Sequence, residues 1–263
     1  MTTVPFRVAG GLSQPDWAER RCALVVAHPG HELVVHSWLS EARPWVVVLT
    51  DGSGHGTIGR IDSTARVVDD ADASRGGLFG DHTDHELYAA LLAHDADFFL
   101  RTTDRIAAEL LDRNIDFVAG DAVEGYNPVH DVCRMMTNAA VRMVRERGRV
   151  IDNFDFFLVR SHETVVDEPG AIVRHLDDRE YARKLAVSRA YSELRAEVEQ
   201  ALGERPFAVE GFRPADHDDH LASVFYDTYG RQRVRDGFYS VAVTYDAHVR
   251  PIEAMLARLA ARR

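Results

Sequence analysis

Short apolar runs alternate with amphipathic stretches through the first half of the chain. CALVVA (Cys22–Ala27) and WVVVLT (Trp45–Thr50) are rich in β-branched residues and bounded by Pro and Gly, the pattern of strands buried on both faces. IDFVAG (Ile115–Gly120) and NFDFFLVR (Asn153–Arg160) read as further strands. Helical periodicity spans Glu32–Ser40, Ala96–Arg113 and Val132–Arg147. The glycine-rich ASRGGLFG before Asp81 does not read as a strand. This alternation predicts an α/β fold, a Rossmann-like three-layer sandwich around a mostly parallel sheet. In the second half, Glu180–Gln200 reads as one long amphipathic helix, Phe207–Pro214 as a strand and loop, and Pro251–Arg262 as a short helix. No Pro/Gly/Ser-rich linker divides the chain. One domain is expected over 1–263, with a core of about 20–215 and a C-terminal extension packed on it.

In such sheets ligands sit beyond the carboxyl ends of the strands. The residues there are HPGHE (His28–Glu32), DGSGHG (Asp51–Gly56) and DAVEGYNPVHD (Asp121–Asp131), all polar and rich in His or carboxylate. His28 and His31 stand three apart on a tight turn, so both rings can reach one ion, and His130 can bring a third nitrogen from the later loop. Three neutral imidazoles with a water in the fourth position form a catalytic zinc arrangement. Taken one at a time, the same histidines read as solvent-facing loop residues.

Composition narrows the class. The 263 residues are 46% hydrophobic and 28% charged, which excludes a disordered chain. A formal charge of −11 argues against a nucleic-acid partner, which needs clustered cations. No apolar run is long enough for a membrane span, and the N-terminal residues do not resemble a secretory signal. A cytoplasmic protein with a small-molecule substrate is expected, and a homo-oligomer stays open. Cys22 and Cys133 sit in apolar segments and read as buried free thiols.

The ordered set V-V-A-H-P-G-H-E, V-V-V-L-T-D-G and E-G-Y-N-P-V-H-D resembles the PIG-L-like (LmbE-type) zinc deacetylases. K-L-A-V-S-R-A-Y-S (Lys184–Ser192) and Glu210-Gly211-Phe212 resemble later family segments. The resemblance implies Zn2+, or another divalent metal, and removal of an N-acyl group from an amino sugar or polar natural-product intermediate by metal-bound hydroxide. Position by position, His28 and His130 match metal ligands, and His31 stands where the family has a metal-binding Asp. Gly30 stands where the family has its general-base Asp, Asn127 where it has an oxyanion-stabilising His, and Val129 where it has a supporting Asp. Glu32 matches a family Glu and is expected to brace the turn.

With the base absent, another acid has to move the proton. Glu124 is the first choice; Asp51 and Asp121 can play the same part. Asn127 can donate its amide to an oxyanion. His55, Asp121 and Tyr126 are expected to contact substrate, Asp51 can bind its hydroxyls or orient a ligand His, and Asp131 is expected to cap the following helix. DHTDH (Asp81–His85) can approach the rim, while DHDDH (Asp216–His220) reads as helix-start acids facing water. The Gly54–Gly59 stretch matches G-x-G-x-x-G only formally and reads as a substrate-side loop; nucleotide binding is the reading it would otherwise support. The absent base also supports a second reading: a divergent member that binds sugar or metal without hydrolysis, or runs a different metal-assisted reaction.

Overall fold

A computed structural model describes residues 7–8, 17–54, 56, 58–204, 208–215, 224–237 and 240–259. The strands are β1 (Arg7–Val8), β2 (Cys22–Val26), β3 (Trp45–Thr50), β4 (Ser74–His82), β5 (Phe117–Asp121), β6 (Asp152–Phe156), β7 (Ile172–His175) and β8 (Val209–Pro214). They form one sheet in the order β1-β7-β8-β6-β5-β2-β3-β4. The run from β6 to β4 is parallel throughout, and β8, β7 and β1 extend it with antiparallel pairs. The α/β fold with a mostly parallel sheet is therefore the one the alternating pattern predicts.

β2 and β5 form the middle of this sheet, and every residue of both strands is buried. Gly120 is required by their close approach: a Cβ there would lie 2.3 Å from the Val25 carbonyl oxygen. The chain runs outward from β2 to β3 and β4, then returns to the other side of β2 as β5. The loops after β2 and β5 thus diverge at the switch point, where a crevice opens in sheets of this kind.

Helices cover both faces. α1 (His36–Ala42) and α2 (Ile61–Asp70) pack with Leu24, Val26, Val46 and Val48 in one apolar layer. α3 (Asp84–Ala93), α4 (Ala96–Asp112) and α5 (Pro128–Glu146) pack with Ala23, Val25, Val47 and Val118 in the other. α6 (Asp178–Ala190) and α7 (Arg195–Glu204) are separated by a 3-10 turn at Ser192–Leu194, so the expected single helix over 180–200 is two. The break comes at Tyr191, whose φ/ψ of −77°/87° is not helical. Its ring is buried, and its hydroxyl bonds Thr64 and donates to the Arg60 carbonyl. α8 (Phe225–Arg235) and α9 (Arg250–Leu259), with a π-turn at Tyr245–Val249 between them, place Tyr226, Val249, Ile252 and Leu256 against the α4–α5 layer.

β4 corrects the reading of ASRGGLFG. It pairs with β3 along a register that shifts twice, and only Leu78 is fully buried. Glycines serve here because the Glu109 carboxylate comes against the strand: it accepts the Gly77 N–H, and a Cβ at Gly76 would lie 2.9 Å from it. Among the described residues, no helix is long and apolar enough to cross a membrane. Cys22 and Cys133 are buried and free.

Candidate functional site

The turn after β2 carries two of the histidines. Gly30 has φ of 102°, a left-handed conformation that favours glycine. Its N–H donates to Glu32 Oε2 at 2.8 Å, and Thr64 donates to Glu32 Oε1 at 2.7 Å, so the buried Glu32 braces the turn. After β5, Asp131 accepts the Glu124 and Gly125 N–H groups at 3.0 and 3.2 Å, and Asn127 Oδ1 accepts the Val129 N–H at 2.8 Å. The cap of α5 is therefore Asn127, while Asp131 folds the preceding loop back onto the helix. Burial pushes the Asp131 carboxyl up to about 7.

These two loops bring three rings together. The His28–His31, His28–His130 and His31–His130 centroids lie 5.4, 5.0 and 4.5 Å apart, with planes steeply inclined. Tetrahedral zinc held by three imidazole nitrogens at ~2.0–2.1 Å would set ring centres roughly 5 Å apart. Among the described residues, no group of three or more His, Cys, Asp or Glu side chains is closed around a single point as a bound metal would close it. The three ring centres nevertheless stand at that spacing.

Behind the rings sit buried acceptors. His28 Nδ1 lies 2.8 Å from Thr50 Oγ1 and 2.9 Å from Asp84 Oδ1. His31 Nδ1 lies 3.0 Å from both oxygens of Asp121, which also accepts the Ala27 N–H at 2.8 Å. Thr50 donates its own hydroxyl hydrogen to the Ala27 carbonyl and an ionised Asp121 only accepts, so Nδ1 of His28 and Nδ1 of His31 are assigned the hydrogen. Burial lowers the pKa of His28 against the pull of Asp84. Burial and the facing His31 and His28 hold His130 well below the ordinary imidazole range. Neutral imidazoles are the form that binds metal. Burial opposes ionisation of Asp84, but its contact with His28 and the Gly54 N–H hold it well below the usual carboxylate range. By donor chemistry and ring spacing, the set suits a divalent ion.

The other expected residues divide. Asp121 differs from its expected role as proton carrier or substrate contact: its side chain is fully enclosed and both oxygens face His31. Glu124 is turned away from that task too. Its carboxylate accepts the N–H groups of Leu158, Val159 and Arg160 at 2.6–3.0 Å, tying the loop after β5 to the end of β6. Asp51 holds the Ser53 N–H at 2.9 Å through Oδ1 and, among the described residues, leaves Oδ2 without a partner. Tyr126 is exposed and stacks on Phe225. His55 and the Asp216–His220 cluster lie outside the described residues. Asp81, the acid a dinucleotide site would use, is engaged by Arg105 at 2.6 Å.

Four residues escaped the sequence reading. Asp84 and Thr50 anchor His28; the polar DHTDH cluster pointed toward the rim without saying which acid arrives. Leu194 matters more. Its Cδ1 lies 2.1 Å from where a Gly30 Cβ would be, so an apolar side chain fills the space that a side chain at position 30 would need. Arg60 joins the loops after β2 and β3 by donating to the Pro29 and Gly52 carbonyls.

No protein-family profile and no curated protein matches the chain. Solved structures of low similarity include a deacetylase triple mutant from the teicoplanin biosynthetic pathway, 14% identical with a TM-score of 0.48, covering 75% of this chain and 100% of that one. Another is the deacetylase of the antimicrobial reagent A40926 pseudoaglycone, 15% identical with a TM-score of 0.46, covering 84% of this chain and 94% of that one. A zinc-inhibited form of teicoplanin deacetylase is 12% identical with a TM-score of 0.45, covering 82% and 94%. At these values the site is read from the chain's own residues.

Proposed function

We propose that this chain is a metal-dependent amidohydrolase that removes an N-acyl group from an amino sugar or a polar natural-product intermediate. His28, His31 and His130 would hold a divalent ion, zinc first. The observation that supports this reading is the convergence of three imidazoles from both sides of the switch point, two of them backed by buried carboxylates. When bound, such an ion polarises a carbonyl and lowers the pKa of a coordinated water.

The chain's own residues divide the remaining work. Asp84 and Asp121 fix ring orientation and tautomer at His28 and His31. The amide nitrogen of Asn127, which meets no partner among the described residues while its Oδ1 serves the cap, donates to the developing oxyanion. Asp51 Oδ2 moves the proton toward the leaving amine, a role typically worth ~10²–10⁴-fold. Purified protein should contain about one divalent ion per chain and release acetate from N-acetylated amino sugars. Chelation should abolish that release, and His28→Ala or His130→Ala should lose the metal. Full metal content in both variants would overturn the assignment.

A second reading has a specific observation in its favour. Leu194 fills the space that a side chain at position 30 would need, and Glu124 and Asp121 are engaged elsewhere. A chain that binds an N-acetyl sugar in a metal-dependent way without releasing acetate would be a binding protein, or would catalyse a different metal-assisted reaction.

A further inference from the structure

Three aromatic side chains form a row that starts on the loop leading to His130. Tyr126 stacks on Phe225 with centroids 5.1 Å apart and planes inclined by 7°, and Phe225 stacks on Tyr229 at 5.5 Å and 18°. The three are 46, 49 and 47% exposed. The Arg233 guanidinium lies 5.8 Å from the Tyr229 ring centre. At the other end, the second face of Tyr126 meets no ring among the described residues. The row is built in: the Phe225 and Tyr226 N–H groups donate to the Gly125 carbonyl at 2.7 and 3.3 Å, and Gly125 is itself held by Asp131. The start of α8 and the loop before His130 are thereby one unit.

We propose that the open face of Tyr126 is a substrate subsite that receives a flat-faced ring, an aryl group or a sugar, as the next member of the stack. The proposal rests on the amidohydrolase reading, which puts the reacting amide at His130, four residues further along in the first turn of α5. Size argues for a small-molecule ring over a protein. Half-exposed aromatic side chains offer ~100 Å² each, so the row presents roughly 300 Å², against ~800 Å² per partner in a stable protein interface. The chemistry is that of a π face: it takes another ring offset and parallel, or the apolar face of a pyranose.

The test is equilibrium binding of methyl and 4-nitrophenyl N-acetyl-β-glucosaminide to the metal-loaded full chain, by calorimetry. Tyr126→Ala should weaken at least one of them by about three- to tenfold, the worth of one aromatic stack. Tyr126→Phe, which keeps the ring, should weaken neither. Loss confined to the nitrophenyl glycoside identifies an aryl ring; equal loss of both identifies the sugar's own ring. Unchanged affinity of both glycosides for Tyr126→Ala, or binding of neither to the parent chain, overturns the subsite. Acetate release, followed in parallel, separates the two proposals. Stacking-dependent binding without acetate leaves the subsite and removes hydrolysis, whereas acetate release with no effect of Tyr126→Ala does the reverse.

Discussion

His31 and Asp121 are best understood as one unit. His31 faces the other two rings, and the Asp121 carboxylate sits behind it at 3.0 Å. Asp84 repeats the arrangement behind His28. Replacing Asp121 by Asn removes the charge but keeps the shape. Removing such an outer partner costs ~10–100-fold in metal affinity, so Asp121→Asn should weaken zinc binding by that factor in competition with a chromophoric chelator. An affinity equal to that of the parent would show that the carboxylate does not act through His31. The three histidines that converge stood out in the sequence as H-x-x-H and a distant His. The carboxylates behind them did not, because Asp84 and Asp121 are 37 residues apart and meet the histidines only through the parallel pairing of β5, β2, β3 and β4.

At the scale of elements, one buried ion pair joins three segments. Glu210 on β8 accepts the Ser37 and Trp38 N–H groups at the start of α1, and Lys184 on α6 donates to Glu210 at 2.9 Å and to the Val34 carbonyl at 2.6 Å. The carboxylate thus meets a helix N-terminus and a cation together. Glu210→Gln would leave the buried ammonium without its counter-charge, at a cost of ~3–5 kcal/mol, read as a lower urea midpoint. Lys184→Met in the same chain should recover part of it; no recovery would mean that the pair's charge is not the cause. The buried strands and α4 were legible because continuous apolar runs and a 3.6-residue period are local signals. β4 was not, since its pairing with β3 and the approach of Glu109 are tertiary. Nor was the break at Tyr191, where Thr64 and Arg60 anchor the hydroxyl.

For the molecule as a whole, buried histidines tie stability to pH. His36, the first residue of α1, is buried within the electrostatic reach of Lys184 and Glu210, and burial lowers its pKa from 6.5 to about 4. The unfolded chain therefore takes up a proton that the folded one refuses. The stability His36 contributes is complete above pH 6.5 and is lost as pH falls toward 4, by up to ~3 kcal/mol for this group. His28 and His130, shifted the same way, steepen the loss in the metal-free chain. His36→Leu should flatten part of the slope of unfolding free energy between pH 7 and 4, and an unchanged slope would assign the dependence elsewhere. Lys184 also has a consequence for the exterior. It is the sole lysine, with its side chain 1% exposed, so every basic side chain of the Lys/Arg class that this chain shows to solvent is a guanidinium. Acylating or cross-linking reagents aimed at side-chain amines, and enzymes that tag lysines, find no target on the native surface. They gain one only when α6 lifts away, which makes that single nitrogen a built-in reporter of opening.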